Sequence, residues 1–172
     1  MAGSAGYFGF SFDHERIALA LKAALTGITQ PARVRLRLCR DGTPVVTLSG
    51  LPPPESAPVV LIVDPCPVAS SDVFVFHKTT NRDHLADRAD NALLVNERGE
   101  LTECPIANVA VHLDGRWWTP PVASGCLAGV ERQSLLAAGR LTERVLTVAD
   151  ARRADQLAVV SSVRGWRPAV LG

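Results

Sequence analysis

Residues 73–113, VFVFHKTTNRDHLADRADNALLVNERGELTECPIANVAVHL, decide how the rest of the chain is read. Lys78 follows an apolar run, Val73-Phe74-Val75-Phe76-His77, which predicts a strand that ends on a lysine. An amine flanked by apolar sequence can be partly desolvated, which frees it to form a Schiff base with a carbonyl. Residues 81–89 then have helical character, with Leu85 and Ala89 four apart on one face. Residues 92–95 and 100–103 flank Asn96-Glu97-Arg98-Gly99, the composition of a hairpin turn. Glu103 ends that hairpin as a lone carboxylate. Residues 106–113 turn back through Asp114-Gly115 into residues 116–119. The plain alternatives are a solvated lysine, a surface glutamate and, for His77, a packed or turn histidine.

Upstream, Asp13 predicts the N-cap of a helix whose apolar face uses Ile17, Leu21, Ala24 and Leu25 and which stops at Gly27. Residues 1–12 are Gly- and aromatic-rich and carry no clear element. Arg33-Val34-Arg35-Leu36-Arg37-Leu38 alternates as a strand, and Asp41-Gly42 predicts a hairpin into residues 45–48. The three arginines share a face that either lines an anion site or is simply solvated; charged strand faces follow the second rule. Residues 51–58, LPPPESAP, form a proline-rich linker between a small lobe, 1–50, and a larger one, 59–172. Residues 59–63 are continuously apolar, predicting a strand buried on both faces.

Downstream, Leu127-Ala128-Gly129-Val130 opens a helix that runs to about residue 138 and stops at Gly139. A glycine before a helix leaves the Val130 and Glu131 N–H groups free at the positive end of a dipole, which suits a phosphate or is a plain helix start. Residues 142–148 predict a strand, 149–154 a short helix and 156–162 a last buried strand. Ser161 and Ser162 end that strand, either as donors or bonded to their own backbone. Several short strands in succession indicate a twisted, partly closed sheet.

At 172 residues the chain is large enough for one substantial core or two small lobes. It is 47% hydrophobic and 20% charged with net charge +1, which gives no reason to expect nucleic acid or an anionic membrane as partner. No apolar run approaches the roughly 20 residues that span a bilayer. Cys39, Cys66, Cys104 and Cys126 form no C-x-x-C pair, and the chain shows no signal peptide, which together indicate reduced thiols in a cytoplasm. The four His and four Cys show no metal-ligand spacing, so no zinc site is expected.

The ordered series HKTTNR, LLVNERGELTECPIANVAV, TPPVASGCLAGVERQSLL and VVSSVRGWRPA resembles the fold-type IV pyridoxal phosphate (PLP) enzymes, the class IV aminotransferase superfamily. Within it the likeness is strongest to 4-amino-4-deoxychorismate lyases, including lyase-like domains fused to aminodeoxychorismate synthase component I. It runs from about Tyr7 to Ala169. The resemblance implies an α/β (α+β), two-lobe D-amino acid aminotransferase-like fold with a barrel-like C-terminal lobe. Lys78 would carry the cofactor as a Schiff base and Glu103 would face its ring nitrogen. Ile106, Ala107 and Asn108 would flank the ring, while Val130, Glu131 and Ser162 would hold the phosphate. The implied reaction converts aminodeoxychorismate to 4-aminobenzoate and pyruvate, a step of folate precursor synthesis, with Lys78 as general base and acid. A small-molecule substrate and a homodimer are implied too.

The chain departs from the family in three ways. It begins after the segment that carries the family's opening strands and a phosphate-gripping arginine. The resemblance therefore implies a truncated small lobe, a weakened hold on the cofactor and impaired activity. Glu131 would place a carboxylate near the phosphate unless its side chain turns away. Asp83 stands where branched-chain aminotransferases have a tyrosine, while Lys78, Asn81 and Arg82 follow the lyase pattern. The rival expectations are an aminotransferase for branched-chain or D-amino acids and a non-catalytic remnant of the family.

Overall fold

The computed structural model describes residues 1–51, 53 and 55–172; Pro52 and Pro54 of the expected linker lie outside them. The chain divides into two compact units, Met1–Pro54 and Glu55–Gly172. In the first, α1 spans Ala2–Phe8, where the sequence predicted no element, and ends on Gly9 at φ 67°. Helix α2, His14–Leu25, starts where Asp13 predicts it, with the Asp13 carboxylate accepting the Arg16 N–H at 3.1 Å. Strands β1, Ala32–Leu38, and β2, Pro44–Gly50, pair antiparallel across a turn with Gly42 at φ 83°. Arg33, Arg35 and Arg37 are all exposed, so this strand face is solvated within its unit.

The second unit is built on eight strands: β3 (Val59–Val63), β4 (Ala92–Leu93), β5 (Glu103–Cys104), β6 (Ala107–Leu113), β7 (Arg116–Thr119), β8 (Thr142–Glu143), β9 (Gln156–Ser161) and β10 (Gly165–Leu171). They run in the order β4-β3-β10-β9-β6-β7-β8, with β5 paired to β6, as a curled half-barrel sheet. Residue alternation divides the core between the two faces. Val109, Val111, Leu157 and Val159 join Leu61, Leu93, Leu101 and Leu146 on one face, with Ala151 of α4 (Val148–Arg153) packed against them. Ala110, Ala158 and Val160 face the other way and bury Leu135 of α3 (Val130–Ala137). Helix α4 is fixed at its start by a reciprocal pair: Thr147 accepts from the Asp150 N–H, and Asp150 accepts from the Thr147 N–H.

The turns follow the sequence closely. Asp114 and Gly115 both have positive φ, 53° and 74°, which a two-residue hairpin demands. In the 92–104 hairpin, Leu94 and Thr102 bond to Glu103 and Leu94, and Gly99 takes φ 78°. Buried Asn96 organises the tip: its Oδ1 accepts from the Arg98 and Glu100 N–H groups, while Nδ2 donates to Glu100 and to the Ser124 carbonyl.

Five expectations need correction. Residues 73–77 form no strand; Val73–Val75 is a 3₁₀ turn capped by Asp72, which accepts the Phe74 N–H at 2.9 Å. Its spacing buries Val75 and leaves Val73 and Phe74 half-buried. Only Asp83–Leu85 is helical within residues 81–89, again as 3₁₀. Strand β3 is not buried on both faces: Leu61 is fully covered, but Val60 and Ile62 are half-exposed. Residues 142–148 form a strand only at Thr142–Glu143; beyond it the Leu146 carbonyl accepts the Leu101 N–H and Thr147 makes a lone antiparallel bridge to Glu100. The last predicted strand ends at Ser161, leaving Ser162 exposed in a turn, and the sequence reading passed over β10 entirely.

Candidate active site

Glu103 is the chemical centre of the second unit. It sits on β5 opposite Asn108 of β6, on the face shared with α3, and is only 6% exposed. Both of its hydrogen bonds arrive at one oxygen: Asn108 Nδ2 donates to Oε2 at 3.0 Å and the Leu127 N–H at 3.2 Å. Oε1 accepts no hydrogen bond among the described residues. Burial pushes the carboxyl up to about 8, against the lowering effects of the Leu127 N–H and the charges of Lys78, Arg82 and Arg132. The cofactor-free carboxyl therefore keeps its proton at neutral pH; as an O–H donor or, once ionised, as an acceptor, it fits a pyridine-type nitrogen.

Lys78 lies within electrostatic reach of Glu103 and is exposed, at the end of a turn rather than of a strand. Arg82, four residues on, donates from Nη2 to the Pro105 carbonyl at 2.5 Å, bracing the loop that joins β5 to β6. That brace links the lysine segment to the glutamate segment.

Asn108 is buried, with Nδ2 also donating to the Leu127 carbonyl at 2.9 Å. Its amide is thus committed to protein groups, so its contribution to a cofactor site runs through Glu103. Ala107 points into the opposite core, and Ile106 is exposed in the loop before it. A small cleft lined by Asp90, Cys104, Ala107, Ser161, Arg164 and Arg167 opens on that opposite face. Register places Cys104, Ala107 and Ser161 on the face away from Glu103. This cleft and the Glu103 site are separate features.

Helix α3 starts from Gly129 with no side-chain cap among the described residues, leaving the Val130 and Glu131 N–H groups without intrahelical partners. Val130 is 72% exposed, and the Glu131 side chain is half-buried in the same turn. Ser162 is open in the β9–β10 turn, and Ser161 Oγ instead accepts the Arg164 N–H at 3.3 Å, the strand-end alternative for that residue.

Sequence reasoning missed Arg132. This guanidinium is 2% exposed, pairs with Glu143 Oε1 at 2.5 Å and donates to the Pro120 carbonyl at 2.8 Å, while its Nε has no partner among the described residues. The available signal was spacing: Arg132 precedes Leu135 and Leu136 by three and four residues, which puts it on the buried side of α3. The Leu127 N–H, a backbone group, had no sequence signal.

The site residues fit PLP on observations of this chain. A buried carboxyl leaves one oxygen for a ring nitrogen, an exposed lysine lies within its field, and an uncapped helix start offers two amides for a phosphate.

Comparison with known proteins agrees with that fit. The family model for Amino-transferase class IV matches residues 1–171. A "Putative aminodeoxychorismate lyase" of Schizosaccharomyces pombe is 34% identical over 155 residues, covering 83% of this chain and 67% of the relative. The crystal structure of a "Putative amino-acid aminotransferase" from Mesorhizobium loti is 35% identical with a TM-score of 0.91, covering 99% of this chain and 87% of that one. A hypothetical aminotransferase from Mycobacterium tuberculosis, solved in a PLP-bound form, shares the fold at 20% identity and a TM-score of 0.70, covering 91% and 66%. The chain belongs to the class IV aminotransferase family of PLP-dependent enzymes.

Proposed function

We propose that the chain is a PLP-dependent lyase that converts 4-amino-4-deoxychorismate to 4-aminobenzoate and pyruvate. The observation that carries the cofactor reading is Glu103, a buried carboxyl held through one oxygen and open at the other. The lyase reading is supported by the S. pombe relative and by Asn81 and Arg82 after Lys78.

When bound, the cofactor supplies an electron sink at the carbon bearing the substrate's amine. Glu103, through the oxygen that takes no protein hydrogen bond, would hold the cofactor's ring nitrogen and, as the carboxylate, would favour its protonated form. The Val130 and Glu131 N–H groups would hold the phosphate at the positive end of the helix dipole. Lys78 would hold the cofactor through its amine and, once the substrate's own amine displaces it, would take the proton from the ring carbon that bears the substrate's nitrogen. The C–O bond to the enolpyruvyl group breaks as the ring becomes aromatic. Lys78 returns a proton to the departing enolpyruvate, so the products together contain every atom of the substrate. By the same family resemblance the enzyme works as a homodimer.

The M. loti neighbour favours a second reading, an amino-acid aminotransferase on the same residues. The protein loaded with PLP is offered aminodeoxychorismate alone and, separately, an amino acid with 2-oxoglutarate. Pyruvate and 4-aminobenzoate in the first reaction support the lyase. Glutamate in the second, with no pyruvate in the first, reverses the assignment.

A further inference from the structure

We propose that Asn108 is a positioning residue that locks the Glu103 carboxylate to the start of α3, so that the ring end and the phosphate end of the site cannot move independently. This rests on the cofactor reading above.

Three contacts meet on one buried amide. Asn108 Nδ2 donates to Glu103 Oε2 at 3.0 Å and to the Leu127 carbonyl at 2.9 Å. Its oxygen fills the space beside Gly129: a Cβ built there would overlap Asn108 Oδ1 and lie 3.4 Å from its Cγ. The Leu127 backbone closes the ring, its N–H on Glu103 Oε2 and its carbonyl accepting the Gly129 N–H at 2.8 Å. An exposed asparagine would swing aside from an added methyl group. This one is 5% exposed and would have to give up both Nδ2 bonds, one of them to the carboxyl that faces the ring. Gly129 has φ −59°, a backbone any residue adopts, so close approach and not conformation requires glycine there. A substitution at the phosphate end is thereby transmitted to the ring end.

The test uses wild type, Asn108→Ser, Gly129→Ala and the double variant, with pyridoxal (which lacks the phosphate) and PLP each titrated by visible absorbance. Gly129→Ala should weaken pyridoxal binding about tenfold or more, the size expected when a hydrogen bond to a charged group is lost. The double variant should bind no worse than Asn108→Ser alone, because the shorter side chain clears the added methyl group. If Gly129→Ala does not fold, recovery of folding in the double variant supports the contact, and failure of both overturns it. Pyridoxal affinity within twofold of wild type in Gly129→Ala, with PLP weakened, overturns the proposal, as do additive losses. Wild type taking up neither compound sinks the cofactor reading instead; denaturant stabilities of the same four ligand-free proteins then judge the contact, additivity again overturning it.

Discussion

Glu103→Gln should remove a pH dependence from the stability of the cofactor-free chain. The Glu103 carboxyl starts from an ordinary value of 4.5 and is pushed up to about 8 in the fold, chiefly by desolvation. Between those values the folded chain keeps a proton that the unfolded chain has released. A raised carboxyl pKa therefore contributes stability that is fully present below about pH 4.5 and is lost as pH rises through about 8. At roughly 1.4 kcal/mol per unit the interval sets a ceiling of about 5 kcal/mol, and water entering the site reduces it to a few. Glutamine keeps the volume and an oxygen for the Asn108 and Leu127 donors, but never ionises. Urea unfolding of both proteins at pH 5, 6, 7 and 8 reads the effect as a difference. Wild type should lose about 2–4 kcal/mol relative to Glu103→Gln across that range. His84, lowered by desolvation, acts with the opposite sign below its ordinary 6.5 and cancels in the difference. Glu97 and Glu100, held at about 2 by hydrogen bonds led by those from Ser70 and Arg98, contribute stability above 4.5 that is lost only as pH falls toward 2. Parallel stability curves for the two proteins would refute the burial argument for Glu103.

Asn96→Ala should cost about 3 kcal/mol in urea unfolding, because it removes the partner of the Arg98 and Glu100 N–H groups at the hairpin tip and of the carbonyl of buried Ser124 in the neighbouring 122–124 turn; a loss under about 1 kcal/mol would contradict that account. At the Arg132–Glu143 pair the cost should be lopsided. Arg132→Met should stay within about 2 kcal/mol of wild type, since the half-exposed Glu143 can turn to water, whereas Glu143→Ala should cost about 3 kcal/mol by isolating a buried guanidinium. Equal losses in denaturant stability would contradict the asymmetry.

Local chemistry was the legible part of this fold. Asp13, Gly42, Asp114-Gly115 and Gly139 mark turns and ends because each must satisfy a backbone demand that few residues meet. Short apolar runs were not legible, because VFVFH fits a strand or a turn of 3₁₀ helix equally, and Asp72 capping decides between them. Strand β10 was hidden by composition: Pro168 sits in a central strand opposite Ala158, where a missing N–H argues against strand. Helix α1 contains Gly3 and Gly6, which lower its propensity.

The order of motifs pointed to Lys78 and Glu103 as candidate site residues, while their surroundings carried no such signal. Nothing in a lone glutamate announces that it is buried; that follows from β5 pairing inward against β6. Asn108 was expected beside the cofactor, and the register of that same pairing makes it the support of Glu103.

Lys78 itself offers the most direct test, because the chain has two lysines, Lys22 and Lys78. The protein is incubated with PLP, reduced with borohydride, digested and mapped by mass spectrometry. The account predicts a visible absorbance band, a reduced adduct on Lys78, and loss of both in Lys78→Ala. An adduct shared equally with Lys22, or an unchanged band in Lys78→Ala, would contradict it.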